Sequence, residues 1–416
     1  MARRTLTVVL AAVLAAAPAA AQVDLAAVDA HADAAPEKAE GSVRSLAKYL
    51  ARAGETDLAR ARAVFRWLAM NVAYDVSGYR TGDYGDLSPD GVLRRRRAVC
   101  SGYAGLAEAL GEAMGLEIEV VRGWSKGYGY LAGQTFDGPT NHAWNAVRID
   151  GAWRLMDPTW GAGYLDTAMR FVRRFEEHYF LTDPGSFVFD HLPEDPSWQL
   201  LDPPVTSGAY ADMVQLRPHF FANGLEIRSH PLARIETGDR GTVVLGTTDG
   251  VLLLARLRDA DADEELEDTR TFVQADDGEA RIDFVVPRAG AYILRLFARG
   301  PDDETYHWAL DYRVDASAGD EDGGFPLAYS GFGERGAVLY GPMEGVLAAG
   351  ESYSFRIRAP GAVQVAVVAG ETWTHLDRGE DDVFHGDVLA VPGDINVYAK
   401  YDAEGQFTGL LRYRGR

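Results

Sequence analysis

The apolar positions of the chain change their period twice. Val64, Phe65, Leu68, Ala69 and Val72 form one stripe at helical spacing, with Thr56 placed as the cap and Asp57 in the first turn. A second stripe, Ala104, Leu106, Ala107, Leu110, Ala113 and Met114, covers residues 101–114 and stops at Gly115. Ahead of these, residues 23–40 are rich in alanine and charge and read as a loose or helical lead-in, and 42–52 reads as a short helix. The period then shortens to two. Residues 118–125 read as a strand, and 142–149 and 152–157 as a hairpin around Asp150-Gly151, a strong two-residue turn signal. That turn sets Ile149 opposite Ala152 and, carried on, Trp144 opposite Asp157. Strand side chains alternate, so His142, Trp144 and Asp157 share a face, with Asp157 one diagonal step from His142.

Several prolines between Pro193 and Pro218 mark a boundary. Beyond it come short alternating runs such as GTVVLGTT, GVLLLARLRD and AYILRLFA, divided by Gly and Asp turns, which is the pattern of a β-sandwich. PRAGAYILRLFARG…WALDYRV (287–314) is echoed about 100 residues later by VPGDINVYAKYD…GLLRYRG (391–415). The expected organisation is multidomain: an α+β domain over 23–201, a linker over 202–215, and two all-β immunoglobulin-like sandwich modules over 216–316 and 326–416. An acidic linker, 317–325, separates the modules.

The only cysteine, Cys100, falls at the start of the second helix. Unpaired N–H groups and the positive dipole end stabilise a thiolate there, and the thiolate is the nucleophilic species. A lone cysteine is ordinarily a small core residue. Here a glycine and a tyrosine flank it, unlike a buried helix middle, and a His/Asp pair lies downstream. Cys100, His142 and Asp157 match what a nucleophile, base and orienting carboxylate require. The same reading places Tyr103, Trp144 and Trp160 in a substrate cleft, with core packing as the alternative for each. Residues 74–89 would form one cleft wall and 126–141 a loop beside it. Trp67 reads as core, with an oxyanion role as the lesser alternative, and the arginines at 94–97 read as a solvated helix face.

The segments VCSGYA, GWSKGYGY, NHAWNAVRIDGAWRLMDPTWGAG and HYFLTDPGSFVFDHLPEDPSWQLL resemble the transglutaminase-like superfamily, and within it the kyphoscoliosis-peptidase branch. The resemblance covers roughly residues 61–201. It implies a papain-like thiol fold with Cys100 as nucleophile, His142 as base and Asp157 orienting it, and repeats after the thiol domain. The family mixes peptidases, acyl transferases and members of unproven activity, so it fixes the site better than the reaction. The expected function is thiol attack on protein or peptide amides; the alternative is an inactive scaffold holding an envelope or extracellular protein through its sandwiches.

Composition narrows this further. Arg3 and Arg4, an apolar run over 6–17 and Ala19-Ala20-Ala21 form a bacterial-type signal peptide over 1–22, which predicts export to the periplasm or beyond. One cysteine in an oxidising compartment cannot form an internal disulfide, and a free thiol there is a liability unless used. A net charge of −21 disfavours nucleic acid and anionic membrane, and no other run is long enough to span a bilayer. No cofactor is implied: HExxH, CxxC and a phosphate-cradling loop are missing, and DADADEELED (259–268) lacks the glycine and final glutamate of a calcium loop and reads as a polar hairpin tip.

Overall fold

Thr56 caps the helix Asp57–Asn71 by accepting the Ala59 N–H at 3.1 Å. The helix is buried along the predicted stripe and beyond it, from Ala59 to Ala69. In the computed structural model, which describes residues 23–416 apart from Gly133 and Thr167, it packs on the helix Cys100–Met114. The predicted leader, 1–22, lies outside the described residues. The lead-in forms the helix Leu25–Asp33, and Ser42 caps Val43–Leu50 through a reciprocal bond with Ser45. Trp67 is buried, its indole donating to Glu40 Oε1 at 3.1 Å, so it is core. Gly161 lets a one-turn helix lie on the same core, because a Cβ there would come within 2.4 Å of Phe65.

Against these helices stands a five-stranded antiparallel sheet in the order Phe180–Thr182, Ala152–Met156, His142–Ile149, Ile118–Ser125, His191–Pro193. The hairpin register is the one the turn dictates, Ile149 opposite Ala152 through to Asn145 opposite Met156. Asp150 and Gly151 both take positive φ, 50° and 81°, as the tight hairpin requires.

Two sandwiches follow with one topology. In each, a six-stranded sheet faces a four-stranded one, and a short strand pairs in parallel with the last strand of the larger sheet. The echoed segments are equivalent hairpins, Gly290–Arg299 with His307–Ala316 and Gly393–Lys400 with Thr408–Gly415. The strand Gln215–Leu216 already belongs to the first sandwich, so this unit begins inside the stretch read as a linker. The acidic stretch between the modules is bound to the first one: Arg270 donates to the Asp320 and Glu321 carbonyls at 2.7 and 2.6 Å. DADADEELED is a hairpin tip whose Asp259 accepts the Asp261 and Ala262 N–H groups. Among the described residues no helix is long and apolar enough to cross a membrane.

Candidate active site

Cys100 is the first residue of its helix. Val99 provides no side-chain cap, and while the Gly102 N–H donates to the Val99 carbonyl, the Cys100 and Ser101 N–H groups are left for a negative charge. Asn145 ties this helix to the hairpin, its Nδ2 donating to the Ala104 carbonyl at 3.1 Å. That contact sets the opening strand of the hairpin, and with it His142, beside the thiol.

Asp157 ends the second arm of the hairpin. Its Oδ1 accepts the Thr159 and Trp160 N–H groups at 2.8 and 3.2 Å, which fixes the carboxylate. Its Oδ2 accepts His142 Nε2 at 2.7 Å. With Nε2 engaged, Nδ1 is the nitrogen left for Cys100, whose sulfur is hydrogen-bonded to the His142 ring and to the Ala143 N–H. Burial pushes the thiol pKa up, but the charge and hydrogen bond of His142 outweigh it and the net shift is downward. Burial likewise disfavours a charged His142, yet Asp157 and Cys100 raise it to about 10. Asp157 is pushed up by burial and held well below the usual carboxylate range by His142 and His191. All three shifts favour the same ionic state: thiolate, imidazolium, carboxylate. Cys100 is partly exposed, so the thiol is the member of the three that opens to solvent.

The flanking aromatics divide. Tyr103 is fully buried and donates to the Val72 carbonyl at 2.6 Å, so it is a core strut and not a cleft residue. Trp144 is also buried: it lies on the same face as His142, its ring 5.9 Å from that imidazole and edge-on to His191 at 5.0 Å, but it is closed off from solvent. Both correct the cleft expectation: an aromatic in a strand or helix that is apolar on the inner side is used there first. Trp160 is half-buried with its ring 5.4 Å from His142, and of the three it alone reaches solvent beside the site. The arginines at 94–97 are mostly paired: Arg94 with Asp86, Arg95 with Asp75, and Arg96 with Glu40 while lying over Trp67.

His191 has no counterpart in the sequence reading. Its Nε2 reaches the same Asp157 Oδ2 at 3.2 Å, and its Nδ1 lies 2.5 Å from Asp190 Oδ1. Asp190 in turn accepts the Tyr179 hydroxyl at 3.0 Å. The signal available was a polar pair, Asp190-His191, set between Phe187-Val188-Phe189 and Leu192, since buried polar groups need partners. His142, Asp157 and His191 also have metal-ligand donor types, but both Nε2–H groups donate to Asp157 Oδ2, which leaves those nitrogens no lone pair for an ion. A second group, His219, Asp303 and His307, has donor atoms within 4.8 Å. Its two imidazoles are stacked face to face at 4.1 Å and 8°, so their in-plane lone pairs run parallel and do not converge on one ion.

Comparison with known proteins shows what the chain is similar to. Residues 44–158 match the transglutaminase-like superfamily, and 209–326 match the KY-like, immunoglobulin-like domain. The chain is 31% identical to the kyphoscoliosis peptidase of Homo sapiens over 280 residues, 66% of this chain and 41% of that protein. It is 29% identical to Hillarin of Drosophila melanogaster over 307 residues, 67% of this chain and 37% of that protein. A solved transglutaminase ("Crystal structure of a TGase") aligns over 37% of this chain and 36% of its own at 20% identity, with a TM-score of 0.22. The chain thus spans about two fifths of the human relative's length. With its first domain it belongs to the transglutaminase-like superfamily, and it carries a KY-like immunoglobulin-like domain after it.

Proposed function

We propose that the chain is an exported thiol acyl-transfer enzyme acting on amides of proteins or peptides through Cys100, His142 and Asp157. The observation that carries this is the continuous line from the Cys100 sulfur through the His142 ring to Asp157 Oδ2, with the thiol pKa lowered against the desolvation that opposes it. The thiolate attacks the amide carbonyl, forming the S–C bond and an oxyanion. His142 gives its proton to the leaving amine as the C–N bond breaks, and an S-acyl enzyme is left. Water, deprotonated by His142, then releases a carboxylic acid; an amine acceptor would yield a new amide. Hydrolysis is the favoured outcome, after the peptidase named among the relatives.

Two donors serve the oxyanion. One is the Cys100 N–H at the open helix end. The other is Tyr74, on a strand that pairs in parallel with Arg97-Ala98 immediately ahead of the nucleophile. Burial and the neighbouring Cys100 charge both push the Tyr74 phenol up, so it stays protonated and able to donate.

The sandwiches favour a second, compatible role in holding a protein partner. On the second module Trp373, 47% exposed, lies 5.8 Å from Tyr398 and 5.0 Å from Phe407, an aromatic ledge suited to an interface. The decisive test of the enzyme reading is Cys100→Ala. It should abolish both labelling by a thiol-directed acyl probe and release of product from peptide amides; turnover persisting in that variant would sink the reading.

A further inference from the structure

A buried histidine ordinarily finds one or two partners and stops there. His191 is fully enclosed, with Phe187 stacked on it at 4.1 Å and Trp160 at 4.5 Å, and each nitrogen faces a carboxylate oxygen. An ionised carboxylate only accepts, so Nε2–H donates to Asp157 Oδ2. A proton must also lie on the 2.5 Å line between Nδ1 and Asp190 Oδ1, whichever atom carries it. The tautomer and the ring plane are therefore both fixed, by Asp190 from one side and by the aromatic walls from the others.

The sheet register explains how this ring reaches the site. His142 pairs with Gly123, and Gly123 pairs with Pro193 on its other side. His191, two residues before Pro193, lies on the face that His142 occupies. Between them stands a glycine, with no side chain to separate the rings, whose centroids are 5.3 Å apart. The titratable groups around His191 are His142, Asp157, Asp190, Tyr179 and His178.

We propose that His191 is a positioning residue of the thiol site: by holding Asp157 Oδ2 it keeps that oxygen aligned on His142, and so keeps Cys100 ionised. Asp190 and Tyr179 extend the same support one step further from the thiol. This rests on the function proposed above, and its failure can be told apart from the failure of that reading.

The test is the iodoacetamide alkylation rate of Cys100 against pH in the full chain, with the thermal unfolding midpoint measured alongside. Three variants separate the contacts. His191→Gln can still donate to Asp157, His191→Asn reaches only the Asp190 side, and His191→Phe keeps the aromatic packing and loses both bonds. His191→Gln should stay within about threefold of wild type at neutral pH. His191→Asn and His191→Phe should lose about tenfold or more, the scale of one charge-assisted hydrogen bond, with the acid limb of the profile moved to higher pH. A wild-type profile in His191→Asn overturns the inference, as does a loss in all three variants that tracks the unfolding midpoint alone. If His191→Phe does not fold, the Gln and Asn pair decides. His142→Ala is the separate control: an unchanged profile there sinks the thiol-enzyme reading itself.

Discussion

His142 Nε2 lies 2.7 Å from Asp157 Oδ2, and that one contact sets the charge state of the thiol site. Burial alone would strip the imidazole of its proton; the carboxylate and the thiolate together hold it on, to about 10. Asp157→Asn keeps the shape and its backbone acceptor and removes the charge. The alkaline limb of turnover, set by loss of the imidazolium proton that the leaving amine needs, should then fall well below pH 10. Turnover at neutral pH should drop by roughly 10³–10⁴, the scale of losing an orienting aspartate. The pH profile of steady-state turnover checks both.

Tyr74→Phe should separate attack on an acyl group from simple thiol reactivity. Alkylation creates no oxyanion, so its rate and pH profile should be unchanged. Acyl turnover should fall by about 10²-fold, the scale of one lost oxyanion donor. Equal losses in both assays would show that Tyr74 supports the fold and does not touch the reacting carbonyl.

Gly123 holds the two histidines on neighbouring strands, and a Cβ there would meet the Leu192 carbonyl oxygen at 2.1 Å and the Trp144 ring at 2.6 Å. Neither neighbour can give way cheaply, since one is backbone and the other is fully enclosed. Gly123→Ala should cost about 2 kcal/mol or more of stability by chemical denaturation. It should also slow alkylation, because the strand carrying His191 must shift.

Local features of the site were legible in the sequence. Cys100 at a helix start, the Asp150-Gly151 turn and the register that brings His142 and Asp157 together are all short-range, and each has one physical solution. The twin sandwiches were legible because one hairpin pattern recurs. His191 was not, since its strand joins the far edge of Ile118–Ser125 and no spacing links position 191 to 142. Tyr103 and Trp144 misled for a related reason. Residue type shows that a ring is present, not which side of the sheet or helix is closed by later chain. Lys126 does open the loop read there, but its enclosure was not legible, because the segment entering the first sandwich closes over it.

Lys126 should therefore leave a trace in stability against pH. Burial lowers its amine to about 7, with Asp190 and Asp212 opposing, while Nζ donates to the Met213 carbonyl at 2.6 Å. Below pH 7 both folded and unfolded chains hold the proton, and the folded state bears the full cost of burying it. Between about 7 and the ordinary lysine value the folded state releases it and the unfolded state does not, so this group's contribution to stability rises with pH. Lys126→Met should flatten that rise in the unfolding midpoint between pH 7 and 10 relative to wild type. An identical slope in the two proteins would show that the amine stays charged throughout.

The first sandwich backs the very segment that carries Asp190 and His191. Phe221 stacks on His178 at 5.0 Å and approaches Phe189 at 6.0 Å. Tyr210, fully buried, packs on Phe136 at 4.8 Å and beneath Lys126, and Gln215 donates to the Lys126 carbonyl. Both the loop before His142 and the strand of His191 therefore rest on residues beyond 201. A chain ended after Leu201 should keep its helices, by circular dichroism, and lose about tenfold or more in Cys100 alkylation rate at neutral pH, as one supporting hydrogen bond or its equivalent is released. A chain ended at residue 324 keeps every one of those contacts. It uncovers Phe272 and Val285, which pack against the second module, and so should unfold at a lower temperature with the alkylation rate unchanged. Full reactivity in the shorter chain would mean that the transglutaminase-like domain holds its own site, and that the sandwiches serve only a partner.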